Sequence, residues 1–353
     1  MGAPATAAPA GLSRRRVVPA VLLLLLALGV LYVLVPRIAG FDETWRRLER
    51  GDRWWLLVAV GCELLSFTGY VALFRHVLGR EARGIGWAAS WRISLAGVTA
   101  TRVLAAGGAG GIALTAWALH RAGMSGRRVA TRLTAFLVLL YAVYMAALVL
   151  AGVGLRSGLL NGPAPFALTL MPAAFGGLVI LVALVATRLP ALDGRFAERL
   201  GGARRRDRMA AVLVRGATAL GDGVRVAVAL LGGRDPALLG ALAWWAFDVA
   251  ALWACLAAFG AEAQGGVVVM AYFVGTTANL LPVPGGVGAV EGGLIGALVA
   301  LGTPAGPAIA GVLAYRVAAL WLPAIAGVVA YVQLMREASR ELPASPASTA
   351  PHS

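Results

Sequence analysis

The chain has no lysine; all 31 of its basic residues are arginine. It has two cysteines, three histidines and only 13% charged residues over 353 positions. A soluble domain of this length carries about a quarter charged residues, so the shortage excludes an ordinary soluble protein. Cys62 and Cys255 each lie inside an apolar run, which excludes a disulfide framework and a cysteine metal site. No G-x-x-x-x-G-K-[ST] run is present, and no soluble stretch is long enough to host one, so NTPase chemistry is excluded as well.

What is abundant is apolar sequence, at 60% of residues. A bilayer crossing takes about 20 residues. Runs of that length are predicted at 17–36, 54–77, 128–152, 166–187, 236–260 and 305–333. Arg14, Arg15 and Arg16 precede the first run, which is too long for a signal-peptide core and lacks a small-residue cleavage site. It reads as a retained span. The net charge of +15 sits mostly between apolar runs. With the N-terminus in the cytoplasm, inner segments hold 22 arginines and outer ones 6, the bias expected of cytoplasmic loops. The segment 37–53, with five arginines outside, is the weak point of this topology.

Two apolar regions do not run smoothly. Residues 84–121 contain "AAGGAGG" and 266–301 contain "PVPGGVG". Glycine and proline at that density end helices, and broken backbone inside hydrocarbon persists only against protein or a water-filled cavity. Each region is predicted to be a broken or re-entrant helical hairpin. The first enters from the cytoplasm and the second from outside. "TRVLAA-GGAGG" (Thr101–Gly111) aligns with "ANLLPVPGGVGA" (Ala278–Ala289), and "RAGMS" (Arg121–Ser125) then meets "LGTPA" (Leu301–Ala305). The expected fold is an all-α polytopic membrane protein with about six full transmembrane helices plus the two hairpins, arranged as an inverted repeat. Its divisions are a cytoplasmic tail over 1–16 and one transmembrane domain over 17–335, with half-repeats at about 54–152 and 236–333. A connection over 188–235 joins the halves, and a disordered tail covers 336–353. Within that connection, Arg208, Ala211, Arg215, Thr218, Asp222 and Arg225 form one stripe at helical spacing. The helix 203–232 is expected in the cytoplasmic interface, with packing on the bundle as the other placement.

Six ionisable residues fall inside predicted membrane segments: Glu63, Arg92, Arg102, Asp248, Glu291 and Arg316. A central charge costs about 2.5–3.5 kcal/mol on insertion scales, so their retention predicts mutual pairing, a cavity, or both. The helix restarting after "PGGVG" presents unsatisfied N–H groups and a partial positive charge, which suits an anion. Glu291 lies in its first turn. Arg316, on the next span, either clamps phosphate or pairs with Glu291.

"LLPVPGGVGAVEGGL" followed by "LAYRVAALWLPAIAG" (Leu313–Gly327) resembles the signature of the transmembrane domain of bacterial lysylphosphatidylglycerol synthases and of their standalone flippase-like relatives. The upstream "GGAGG…HRAGMS" is similar to the family's first glycine-rich motif, with Ala105 and Ala106 where proline is common. The resemblance covers about 17–335. It implies translocation of an anionic or aminoacylated phospholipid, or of a lipid-linked phosphate, across the cell membrane. The cytosolic aminoacyltransferase domain of the two-part enzymes has no counterpart here, so no catalytic residue, metal or cofactor is implied.

The implied substrate residues are Asn279, Pro282, Pro284, Gly285, Gly286, Gly288, Glu291, Tyr315 and Arg316, with Arg102, Gly107, Gly108 and Gly110 from the first hairpin. Glu63, Arg92 and Asp248 are the intramembrane charge partners. Two other functions stay open. A membrane-embedded transferase on a lipid carrier would need a base, and His76 and His120 both read as interfacial. A scaffold would serve a separate glycosyltransferase or synthase partner. Nucleic acid is not an expected partner.

Overall fold

The computed structural model describes residues 51–82, 85–103, 109–188, 205–280, 286 and 288–340. Among these, ordered elements are helical and no strand occurs. In chain order they are α1 (Arg53–Phe74), α2 (Trp87–Val103), α3 (Ala109–Arg121), α4 (Gly126–Arg156) and α5 (Phe166–Arg188). They continue with α6 (Arg205–Gly232), α7 (Leu239–Ala258), α8 (Gly265–Thr276), α9 (Ala289–Ala300), α10 (Ala305–Arg316) and α11 (Leu322–Arg340). A π turn extends α1 to Gly79, and another, Val317–Trp321, joins α10 to α11. Five described helical runs are long and apolar enough to cross a membrane: Arg53–Gly79, Gly126–Arg156, Phe166–Thr187, Pro236–Ala258 and Ala305–Glu337. They coincide with five of the six expected spans; the sixth, 17–36, lies outside the described residues. So do most of 37–53, and 341–353.

α1 and α7 form the central seam and run antiparallel along their whole length. Asp52 caps α1 by accepting from the Trp54 N–H at 2.8 Å, while its own N–H donates to Ala258 at 3.0 Å. Farther along, Trp55 meets Trp253 edge-on at 5.8 Å, and Ser66 Oγ donates to the Trp244 carbonyl at 2.7 Å. At the far end Arg80 reaches Asp235 at 2.9 Å. Close approach depends on small residues: a Cβ on Gly69 would lie 2.9 Å from the Gly240 carbonyl oxygen and 2.7 Å from Ala243 Cβ.

Each hairpin folds back on itself through glycine. In the first, Gly111 of α3 sits against Gly97 and Thr101 of α2. In the second, a Cβ on Gly293 of α9 would lie 2.7 Å from the Gly275 carbonyl oxygen of α8. Each first arm then lies antiparallel to the long span of the other half. α2 packs on α11, with Thr99 against Gly327 and Arg92 paired to Glu337. α8 packs on α4, with Tyr144 donating to the Phe273 carbonyl and Leu155 against Gly266. Exchanging the two halves reproduces this set of neighbours. Because α1 and α7 oppose each other in direction, the repeat is inverted.

Two hydrophobic cores follow from this. One gathers α2, α3, the first half of α4 and part of α11; the other gathers α8, α9, α10 and the second half of α4. Each core surrounds one hairpin, so the hairpins open at opposite ends of the bundle. The first end carries Arg80, Arg121, Arg127, Arg128, Arg132 and Arg336. The second presents Asp52, Arg53, Arg156 and Glu262.

α6 shows the packing that was one of the two expectations for it. It packs on α4 and α5, with Gly223 against Thr134 and Ala135 and with Val224 and Ala227 buried. α5 is apolar and exposes Leu178, Leu181, Val182 and Val185, the surface expected of a lipid-facing helix, since lipid tails are as apolar as leucine.

Candidate functional site

The second break is built by glycine. Gly286 has φ +64° and Gly288 φ +81°, left-handed values that side chains with a Cβ resist. At Gly286 a Cβ would also lie 2.7 Å from Asn279 Oδ1 and 2.6 Å from Val290 Cγ2. Asn279, at the end of the first arm, thus closes directly over the turn. Both Asn279 and Gly288 are exposed, whereas Gly286 is buried. Pro282, Pro284 and Gly285 lie outside the described residues.

Glu291 sits in the first turn of α9. Its Oε2 accepts from the Gly288 N–H at 2.7 Å, and its Oε1 accepts from Arg316 Nε at 2.7 Å. Glu291 is 6% exposed and Arg316 7%. The carboxylate therefore does two jobs. It satisfies an orphan amide of the restarted helix, and it neutralises a guanidinium deep in the bundle. Of the alternatives open for Arg316, it takes the pairing with Glu291. The π turn directly after Arg316 has a local cause: Pro323 has no N–H to give to Ala319, so the i→i−4 ladder cannot continue there.

Tyr315 points to a second buried carboxylate. Its hydroxyl donates to Asp248 Oδ1 at 2.8 Å, and Tyr272 donates to Asp248 Oδ2 at 2.5 Å. Asp248 belongs to α7, Tyr272 to the first arm of hairpin two, and Tyr315 to α10. The cluster therefore ties the seam to the hairpin, and Arg316 extends the tie to the break. Glu63 on α1 is also buried, within electrostatic reach of both tyrosine hydroxyls.

Sequence reasoning grouped Asp248 with intramembrane charge pairs, but hydroxyls hold it. Arg92 is also corrected: it pairs with Glu337 on α11, half-exposed at the arginine-rich end. The low cost of charge near water accounts for that placement. Tyr272 was missed. The one tyrosine in "VVVMAYFVGTT" was the available signal, because a buried tyrosine hydroxyl usually finds a partner. Tyr144, Trp245 and Phe273 complete an aromatic group beside it, with ring centroids 4.7 to 5.8 Å apart.

In the first hairpin, Gly110 is buried where α3 begins. Gly107 and Gly108 lie outside the described residues, and only the backbone of Arg102 is described, in α2. Among the described residues no group of three or more His, Cys, Asp or Glu side chains is placed to hold a metal. His76 contacts Asp235 at 3.1 Å, joining the ends of α1 and α7.

An inverted pair of helical hairpins, each opening at its own end and the second broken beside a buried ion pair, defines a class of polytopic α-helical membrane protein. The particular family is shown by sequence: the model of the lysylphosphatidylglycerol synthase TM region matches residues 20–327, and the chain belongs to that family. No curated protein matches it.

Proposed function

We propose that the protein is a lipid translocase of the cell membrane, with both termini in the cytoplasm. Its cargo is an anionic or aminoacylated phospholipid, or a lipid-linked phosphate. The carrying observation is the Glu291–Arg316 pair at the break. The Glu291 carboxylate occupies the two donors, the Gly288 N–H and Arg316 Nε–H, that a phosphate oxygen needs. We read it as the resident stand-in for the headgroup phosphate. When phosphate enters, the carboxylate is displaced and Arg316 changes partner, which gives the two arrangements that alternating exposure requires. Inverted repeats with broken helices near the midplane are a recurring transporter design, and the glycines at the break let a headgroup approach backbone.

The test is a reconstituted assay following a fluorescent phospholipid between leaflets. The expected result is loss of translocation in the Arg316→Ala, Glu291→Gln double variant. Translocation at the parental rate in that variant removes the site.

A further inference from the structure

At the arginine-rich end, α4 opens with Arg127, Arg128 and Arg132 in its first two turns. With Ser125, Thr131 and Glu81 they line an open depression of about 630 Å³, within the range of ligand sites. Arg132 is engaged by Glu81 across it. Arg127 and Arg128 are exposed, and neither pairs with a carboxylate among the described residues. Ser125 stands at the N-cap, but its hydroxyl makes no capping bond. The first backbone bond of the helix comes from the Val129 N–H, so the amides of Gly126, Arg127 and Arg128 face outward at the positive end of the helix dipole.

The inverted repeat supplies an internal comparison. The aligned joint in the second half, from Gly302 into α10, carries no charged residue before Arg316. The turn and helix start therefore fold without arginine, and the three side chains are an addition to the scaffold. Setting membrane orientation needs positive charge somewhere in this loop, but not in a concavity that shares a helix N-terminus. The depth is also right. At about 1.5 Å per residue, the 31 residues of α4 run about 47 Å, well beyond a hydrocarbon core of about 30 Å. The first turns of α4 thus stand at headgroup level.

We propose that this cradle binds the phosphate of an anionic phospholipid in the leaflet at the arginine-rich end. Arg127 and Arg128 grip the phosphate, and the α4 amides receive its oxygens. The site is separate from the Glu291–Arg316 break. Because residues 122–125 join hairpin one to α4, a lipid held here fixes the exit of that hairpin.

The experiment uses full-length protein in phosphatidylcholine nanodiscs doped with phosphatidylglycerol, with retained lipid read by native mass spectrometry. A direct charge-assisted contact to the phosphate is worth about tenfold per arginine, so the Arg127→Gln, Arg128→Gln variant should retain phosphatidylglycerol about 100-fold more weakly. The Arg234→Gln, Arg336→Gln variant changes two exposed arginines at the same end and should stay within about twofold of the parent. The cradle substitutions should weaken retention by the same factor in the Arg316→Ala, Glu291→Gln background as in the parent, which separates this site from the transport reading. Parental retention in the cradle variant overturns the proposal. Equal loss in the Arg234/Arg336 variant also does so, by showing diffuse attraction alone. Displacement of the lipid by inorganic phosphate reassigns the cradle to a soluble anion and overturns the lipid assignment. Both pairs are exposed, so an unchanged melting temperature is the folding control.

Discussion

The two hairpins share one scaffold and differ in chemistry. In the first, the arms meet through Gly97, Gly111 and the hydroxyl of Thr101, and its open end is crowded with arginine. In the second, the arms meet through Gly275 and Gly293, the break carries a buried ion pair, and the open end has few charges among the described residues. Backbone closeness is thus common to both halves, and charge is distributed differently in each. One half presents charge at the surface, where water makes it cheap. The other buries charge at the break, where it is costly unless paired. A duplicated fold permits this division because small-residue packing holds each hairpin together, leaving polar side chains free for other work.

The sharpest way to break the comparison is to unpair the buried charge. Arg316→Ala leaves the Glu291 carboxylate buried without its partner, which should cost roughly 3–5 kcal/mol, read as a large fall in melting temperature in detergent. Removing both partners together should restore part of that stability while still abolishing translocation. Next comes the shared packing. Gly293→Ala forces a Cβ against the Gly275 carbonyl and should cost roughly 1–3 kcal/mol. Gly111→Ala should do the same in the first hairpin. Equal losses sharpen the view that both halves close in the same way, and an effect in only one contradicts it.

Smaller effects follow at Asp248. Tyr315→Phe or Tyr272→Phe removes one of two donors and should cost about 1 kcal/mol each. The tyrosine double variant should exceed their sum, because the carboxylate then loses both hydroxyls. The smallest effect lies at the seam's arginine-rich end. The Ala237 N–H, then His76 and Arg80, hold the Asp235 carboxyl below its usual 3.8. A depressed folded value stabilises the protein above pH 3.8, and the contribution is lost as pH falls below it. Melting temperature should therefore drop more steeply below about pH 4 in the parent than in Asp235→Asn.

Much of this architecture is written locally. Apolar runs mark the spans to within a few residues. "AAGGAGG" and "PVPGGVG" mark the breaks, because glycine and proline act on their own segment. Glu291 and Arg316 are legible as intramembrane charges. Their pairing is legible only as one option, since 25 positions separate them and the packing of α9 against α10 sets their geometry. The partners of Asp248 were hidden for the same reason. Tyr272 and Tyr315 reach it from two other helices, and no spacing within α7 announces them. Arg92 misled because the depth of α2 depends on where hairpin one docks against α11. Loop charge predicts the direction of each helix, but the register of α1 on α7 comes from Gly69, Gly240 and their neighbours in three dimensions.

The central claim is that the two hairpins open at opposite faces of the membrane. Ser125 and Ala305 occupy aligned positions in the repeat, and both are exposed. Single cysteines placed at each, with Cys62 and Cys255 replaced by alanine, can be labelled in sealed membranes by an impermeant maleimide. The account predicts labelling of Ser125→Cys from one side only and of Ala305→Cys from the other side only. Labelling of both from the same side would contradict it.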